Sequence, residues 1–295
     1  MITYIDEHRS YGVEPICRTL QVAPSSYYAA RTRPPSARAV RDAGLKLDLS
    51  RIHAEHFSVY GVRKAWRVLR REGIDVGRDQ VGRLMRTLGL AGATRTRRIR
   101  TTHPAAVSQR PADLVERVFA AVAPNRLWVA DLTYVWTRAG FVYTAFVTDV
   151  FSRAIVGWRV SASLHTELAL DALEMAIWHR RADDLGSLIH HSDRGVQYLA
   201  IRYTERLAEA AAVSSVGSKG DSYDNALAES VNGLYKAELI NRHGPWRTVD
   251  EVELATAEWV HFWNTRRLHG ACGDIPPVEF EAAYHQRLQQ ATVAA

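Results

Sequence analysis

Cysteine is nearly absent from this 295-residue chain: only Cys17 and Cys272 occur, and neither belongs to a Cys-x-x-Cys pair. A disulfide framework and a cysteine-based zinc site are therefore excluded, and the usage fits a reducing interior. Long apolar runs are missing too. No stretch approaches the ~18 uninterrupted apolar residues of a membrane span, and the N-terminus lacks the basic-then-apolar pattern of an export signal. Neither export nor membrane insertion is therefore expected. Nor is there an extreme of charge: the net +6 is modest, although the pI near 9.4 points to an anionic partner. With 47% hydrophobic and 24% charged residues, the chain can build a true core in one ordinary domain plus one or two small ones.

The positive charge is concentrated. Between Tyr60 and Arg100 stand twelve Lys and Arg against three acids, a segment of +9 that leaves −3 for everything else. Within it, Val62 to Arg71 reads as a helix with Val62, Trp66 and Leu69 inward, Gly73 to Gly77 as a turn, and Arg78 to Leu88 as a second helix with Val81, Leu84, Met85 and Leu88 inward. Helix, turn and helix with basic outer faces outline a helix-turn-helix, and neutralising phosphates is a simpler use for such charge than a solvated surface. The candidate DNA-binding residues are Arg63, Lys64, Arg67, Arg70, Arg78, Arg83 and Arg86, with Arg95, Arg97, Arg98 and Arg100 on a following arm. A similar outline, Val13 to Gln21 and then Pro24 to Arg31, precedes it; DNA contact and a plain helical hairpin both stay open there. Arg33-Pro34-Pro35-Ser36 marks a linker, and Leu45, Leu49 and Ile52 line one side of the next helix.

From Asn125 onward the texture becomes strand-like. Leu127 to Trp136, Phe141 to Val150 and Ala154 to Ser161 are rich in aromatic and β-branched residues with short connections, an antiparallel meander. A helix from Thr166 to Arg180, a strand from Ser187 to His191, a helix from Ala200 to Ala210, a strand from Ala212 to Val216 and a helix from Asp221 to Glu238 follow. That order predicts an α/β fold with a mixed five-stranded sheet and helices on both faces. A long helix over Val249 to Thr265 and a short one from Val278 complete the chain. The resulting division is a possible helix-turn-helix segment at 1–36, a basic module at 37–100, a linker at 101–122, a core at 123–240 and a helical extension at 241–295.

Three carboxylates carry the chemistry. Asp131 sits inside an apolar strand, where it needs a cation, a strong donor or an open sheet surface. Asp193 follows the end of the fourth strand, where sites gather in mixed sheets. On the last helix Asn225, Glu229, Asn232 and Lys236 form one polar stripe, with Ser222 and Asp224 as possible caps. If the first and fourth strands are neighbours, Asp131, Asp193 and Glu229 converge, and two Mg²⁺ ions would relieve their repulsion and support in-line displacement at phosphorus. Asp149, Asp221 and Asp224 are rivals, read by position as turn, cap or loop residues. His190 and His191 are open between support for the site and a structural role.

These residues also carry a resemblance. The strings WVADLTYV, HSDRGVQY and DNALAESVNGLYKAE resemble the DDE core of insertion-sequence transposases and retroviral integrases. With 35 residues between Asp193 and Glu229 and Lys236 seven after the glutamate, the pattern is most similar to the second-frame protein of IS3-family elements. The resemblance implies an RNase H-like fold, with Asp131, Asp193 and Glu229 as catalytic metal ligands, two Mg²⁺ replaceable by Mn²⁺, and Lys236 near the DNA end. It implies cleavage at element ends and strand transfer by an oligomer on DNA, fusion or association with an upstream-frame protein, and a place in the bacterial cytoplasm at the nucleoid. A non-catalytic DNA-binding regulator and an RNase H-like nuclease without strand transfer are the alternatives. Asn264, Arg267 and His269 match the family pattern without an assigned chemistry, and Cys272 stands where leucine is common.

Overall fold

In a computed structural model of the chain, residues 1–94, 121–192, 201–216 and 226–293 are described. They belong to two compact units, Met1–Ser50 and Arg51–Ala295. The first contains α1 (Ile2–Glu7), α2 (Val13–Thr19), α3 (Pro24–Thr32) and the start of α4 (Ala37–Glu55). Ile5, Ile16, Cys17 and Tyr27 make its small core, and the Tyr27 hydroxyl donates to Asp6 at 2.7 Å. Pro24 occupies the first turn of α3, where its missing N–H costs nothing.

The second unit begins with the end of α4 and continues through α5 (Val62–Arg71) and α6 (Arg78–Thr87). On α6, Val81, Leu84 and Met85 are buried as their spacing predicts. On α5 the buried set is Ala65, Val68 and Leu69, so the expectation of Val62 and Trp66 as core residues is corrected. Trp66 is half-buried because its indole N–H reaches across the turn to the Val76 carbonyl at 2.8 Å, and the Arg67 guanidinium covers its ring.

The sheet has the order β3-β2-β1-β4-β5, built from β1 (Leu127–Thr137), β2 (Gly140–Asp149), β3 (Ile155–Ser161), β4 (Ile189–Ser192) and β5 (Val213–Val216). β1, β2 and β3 are antiparallel neighbours, whereas β4 and β5 run parallel to β1. This is the expected α/β arrangement with an RNase H-like sheet and a helical region before it. The meander forms because short connections join strands that can pair directly, and the later strands return parallel because helices cross between them. Those crossovers are α7 (Thr166–His179) and α8 (Ile201–Glu209). Leu168, Ala172, Leu173, Tyr203 and Leu207 pack with Trp128, Ala130, Ala145 and Val147 in one core layer. Gly157 of β3 permits the closest approach, since a methyl group there would overlap the Ala172 carbonyl.

The opposite face carries α9 (Ala226–Tyr235), α10 (Asn241–His243) and α11 (Val249–Thr265), with α12 (Pro277–Val293) last. Phe146, Tyr235 and Trp259 pack ring against ring there, at 5.0, 5.9 and 5.2 Å between centroids. Two expectations change on this side. The helix expected through Glu238 ends at Tyr235 and widens into a π-helical turn, Lys236–Ile240, whose middle residue, Glu238, is held by a buried pair with Arg267. The helix expected to be short from Val278 runs 17 residues. Among the described residues no helix is long and apolar enough to cross a membrane.

Candidate active site on the first strand

Asp131 stands where β1 leaves the cover of its parallel neighbour: the β1–β4 pairing runs from Leu127 with Ile189 to Ala130 with Ser192. Its side chain shares a face with Phe146, its antiparallel partner, and is half-buried. One carboxylate oxygen accepts from the Leu132 N–H at 2.8 Å, the other from the Asn232 amide at 2.8 Å. Strong donors and an open sheet surface are therefore both present, which accounts for a carboxylate in an apolar strand. The Asn232 amide also points its N–H₂ at the Leu132 carbonyl, 3.4 Å away, so its orientation is set by two acceptors. Its Oδ1 is buried without a hydrogen-bond partner among the described residues.

Glu229 lies three residues before Asn232 on α9, hence one turn away on the same face, and is half-buried. Lys236, at the start of the π turn, places its ammonium 4.3 Å from the centre of the Tyr134 ring. Asn232 on Asp131 and Lys236 over Tyr134 fix α9 alongside β1. Ser192, the residue before Asp193 in the chain, pairs with Ala130, the residue before Asp131. Asp193 itself, like Asn225, Asp221, Ser222, Asp224, Arg95, Arg97, Arg98 and Arg100, lies outside the described residues. The described donors, Asp131 and Glu229, are all-oxygen, which is the donor chemistry that fits a hard divalent cation.

The rival Asp149 is a structural residue. Fully buried, it accepts from the Asn125 N–H at 2.7 Å and from the Ser152 N–H and hydroxyl at 2.8 and 3.0 Å, closing the β2–β3 turn. Burial raises its carboxyl above the ordinary range despite these donors. The two histidines of β4 are buried in the structural sense. His190 Nε2 meets the Tyr203 hydroxyl at 3.0 Å and His191 Nδ1 meets the Ser215 hydroxyl at 3.0 Å.

Asn264, Arg267 and His269 form a clamp away from Asp131. Asn264 accepts from the Ile155 N–H and donates to its carbonyl, both at 2.9 Å, as an added strand would. Arg267 makes a buried two-point pair with Glu238 at 2.9 and 2.6 Å and stacks on Trp263 at 4.5 Å. His269 Nε2 is 3.1 Å from the Trp263 carbonyl.

Burial holds His190 down to about 4, and burial with the Arg267 charge holds His269 down to about 2. Both folded values lie below the unfolded one near 6.5, so the unfolded chain takes up protons first. The stability contributed by keeping these rings neutral is complete above about pH 6.5 and falls below it, by up to ~1.4 kcal/mol per pH unit for each ring. Urea unfolding between pH 7.5 and 5 should show this loss, and the double change His190→Gln and His269→Gln should flatten the slope. An equal slope in both proteins would refute it.

Part of the basic module is paired with carboxylates at the surface. Arg63 and Arg67 both pair with Asp274, at 3.0 and 3.1 Å, and Arg71 pairs with Glu279 at 2.7 Å. Lys64 is half-buried over the Tyr60 ring, and burial and the neighbouring Arg267 lower its pKa to about 7. Tyr60 joins the same seam by accepting from the Leu268 N–H at 2.8 Å. Arg70 pairs locally with Asp75, and Arg78 with Asp79. On α6, Arg78 and Arg86 are exposed and Arg83 is half-buried.

Comparison with known proteins adds an independent line. The family described as Integrase core domain matches residues 121–222, a second of that description matches 214–277, and the family described as HTH-like domain matches 39–98. A Mycobacterium tuberculosis protein named for insertion sequence element IS986/IS6110 is 56% identical over 274 residues, 92% of this chain and 99% of that one. The transposase for element IS629 of Shigella sonnei is 50% identical over the full length of both chains. The transposase for element IS904 of Lactococcus lactis is 34% identical over 84% of this chain and 98% of its own. Among solved structures, the HTLV-2 integrase catalytic core domain in complex with magnesium aligns over 55% of this chain and 99% of that chain, at 17% identity and a TM-score of 0.43.

Proposed function

Because this chain belongs to the insertion-sequence transposases with an integrase core, which act as polynucleotidyl transferases, we propose that Asp131, Asp193 and Glu229 are the carboxylates with which it cuts and joins DNA. The observation that carries the assignment is the Asn232–Asp131 hydrogen bond, which ties the helix bearing Glu229 to the strand bearing Asp131. Two Mg²⁺ ions, or Mn²⁺ in their place, would be held by these three carboxylates and would supply charge stabilisation on both sides of the phosphorus.

The chain's own residues do the rest. Asn232 keeps Asp131 turned toward α9, the helix that carries Glu229 one turn earlier. Lys236, one turn beyond Asn232, offers a cation for the phosphates next to the cut. Positioning of this kind converts attack by water or by a freed 3′-OH into a step within one complex, without a covalent protein intermediate. The module at 37–100 grips the element end through the exposed Arg63, Arg67, Arg70, Arg78 and Arg86, with the half-buried Lys64 and Arg83 beside them. Arg95, Arg97, Arg98 and Arg100 extend the grip. Several copies joining two DNA ends, and association with an upstream-frame protein, complete the assembly.

The test is product analysis on labelled terminal DNA with Mg²⁺, Mn²⁺ or chelator. Nicked ends and joined strands, both lost on chelation, are expected. Nicks without joined strands would establish the nuclease alternative, and DNA retention with neither product would establish the regulator.

A further inference from the structure

Three large rings lie in solvent on one face of the β1–β2 hairpin. Tyr134 and Trp136 of β1 and Phe141 of β2 are 55%, 66% and 48% exposed, against fully buried Val135 and Val142 pointing the other way. They form a continuous patch, with Phe141 edge-on to both: 5.7 Å from Tyr134 and 4.8 Å from Trp136. Cross-strand pairing of Trp136 with Phe141 contributes to hairpin stability, but it does not require broad ring surface to face water. The patch is rigidly mounted: β1 and β2 pair through Thr137 and Gly140, and Arg138 donates to the Trp246 carbonyl at 3.0 Å beyond them.

Two features say what the patch is for. Tyr134 is three residues along β1 from Asp131, ~10 Å at strand rise, and by strand alternation it projects from the opposite face of the sheet, so the two are linked around the edge of β1 beyond the last β1–β4 pair, Ala130 with Ser192. Lys236 supplies a cation on the Tyr134 ring itself. Aromatic faces beside a cation, leading away from the carboxylate, suit a ligand with flat apolar rings joined by phosphates.

We propose that Tyr134, Trp136 and Phe141 form a stacking platform for unpaired bases of the DNA end that Asp131 acts on, with Lys236 at its phosphates. This rests on the reading of Asp131 as a catalytic carboxylate. The platform takes bases irrespective of sequence, since every base offers a π-face. It holds the end open, so that strand separation near the cut is favoured by stacking onto protein in place of stacking within the duplex.

The full-length protein is titrated with oligothymidylate dT12 and with a blunt duplex of random sequence, by anisotropy at one salt concentration. In the double variant Trp136→Leu and Phe141→Leu, dT12 binding weakens about tenfold while duplex binding stays unchanged, on the scale of one stacked base. Trp136→Tyr restores most of the dT12 affinity, and a thermal melt close to wild type shows that the exposed positions tolerate the change. Equal losses for both DNAs, no loss, or failure of tyrosine to rescue would overturn the platform. A shift from dimer to monomer in the double variant at unchanged dT12 affinity would do the same, by assigning the patch to a second copy of the chain. Asp131→Asn separates the two readings: lost cleavage with dT12 binding retained supports both. Retained cleavage with ring-dependent dT12 binding leaves the platform standing and removes the catalytic assignment.

Discussion

Asp131→Asn lowers both DNA cleavage and strand transfer by at least ~10³-fold, the scale on which loss of one central catalytic group registers. Asp193→Asn and Glu229→Gln are expected to do the same, because each would remove a negative charge from the proposed set of metal-holding carboxylates. The fold should survive the first change. Asp131 is half-buried, its neighbour Leu132 N–H can still donate to an asparagine oxygen, and Asn232 can turn its amide to offer Oδ1 in place of its N–H₂. Melting temperature therefore stays within a few degrees of wild type, which distinguishes lost chemistry from lost structure. Asn232→Ala behaves differently: it leaves all three charges and removes only the hydrogen bond that aims Asp131, so the rate falls by ~10–100-fold. Single-turnover cleavage of labelled terminal DNA measures all four. Wild-type rates in any of the three carboxylate variants would remove that residue from the site.

Arg267→Ala destabilises the protein by ~3–5 kcal/mol, because it strands a buried carboxylate. Glu238 and Arg267 are 4% and 5% exposed, and the guanidinium meets both carboxylate oxygens at 2.6 and 2.9 Å. Removing it also bares the face of Trp263, against which Arg267 stacks. Arg267→Lys recovers little, since one ammonium cannot reproduce the two-point contact or the stacking. Arg267→Met with Glu238→Leu recovers most of the loss by removing the stranded charge as well. Urea denaturation of the four proteins tests this; an Arg267→Ala protein as stable as wild type would show that the pair contributes nothing. Glu238 belongs to the same π turn as Lys236, so the loss of anchoring reaches the helix that carries Glu229 and Asn232.

These two predictions mark the two levels on which the chain can be read. Asp131 was legible from its place in an apolar strand, and the strands themselves from their β-branched and aromatic runs. Glu229 and Asn232 were legible as members of one helix face. That Asn232 hydrogen-bonds Asp131 was not, because the contact joins residues 101 apart in sequence and depends on which way α9 crosses the sheet. The roles of Arg267, Asn264 and His269 were hidden for the same reason: their partners Glu238, Ile155 and Trp263 are supplied by packing. The π turn was hidden too, since KAELI is an ordinary helical string, and its widening accompanies the buried pair that Glu238 makes with Arg267.

The basic module shows the difference most clearly. The sequence by itself determined that positive charge is concentrated between Tyr60 and Arg100, that helices carry much of it, and that Asp131, Asp193 and Glu229 stand in strings that resemble those of insertion-sequence transposases. Only the tertiary structure decided which of those charges are paired and which are drawn out of solvent. Asp274 and Glu279, some 200 residues further on, engage Arg63, Arg67 and Arg71, and packing against the C-terminal segment half-buries Lys64. Charge and periodicity are local properties of a chain, whereas desolvation and pairing depend on what the fold brings alongside.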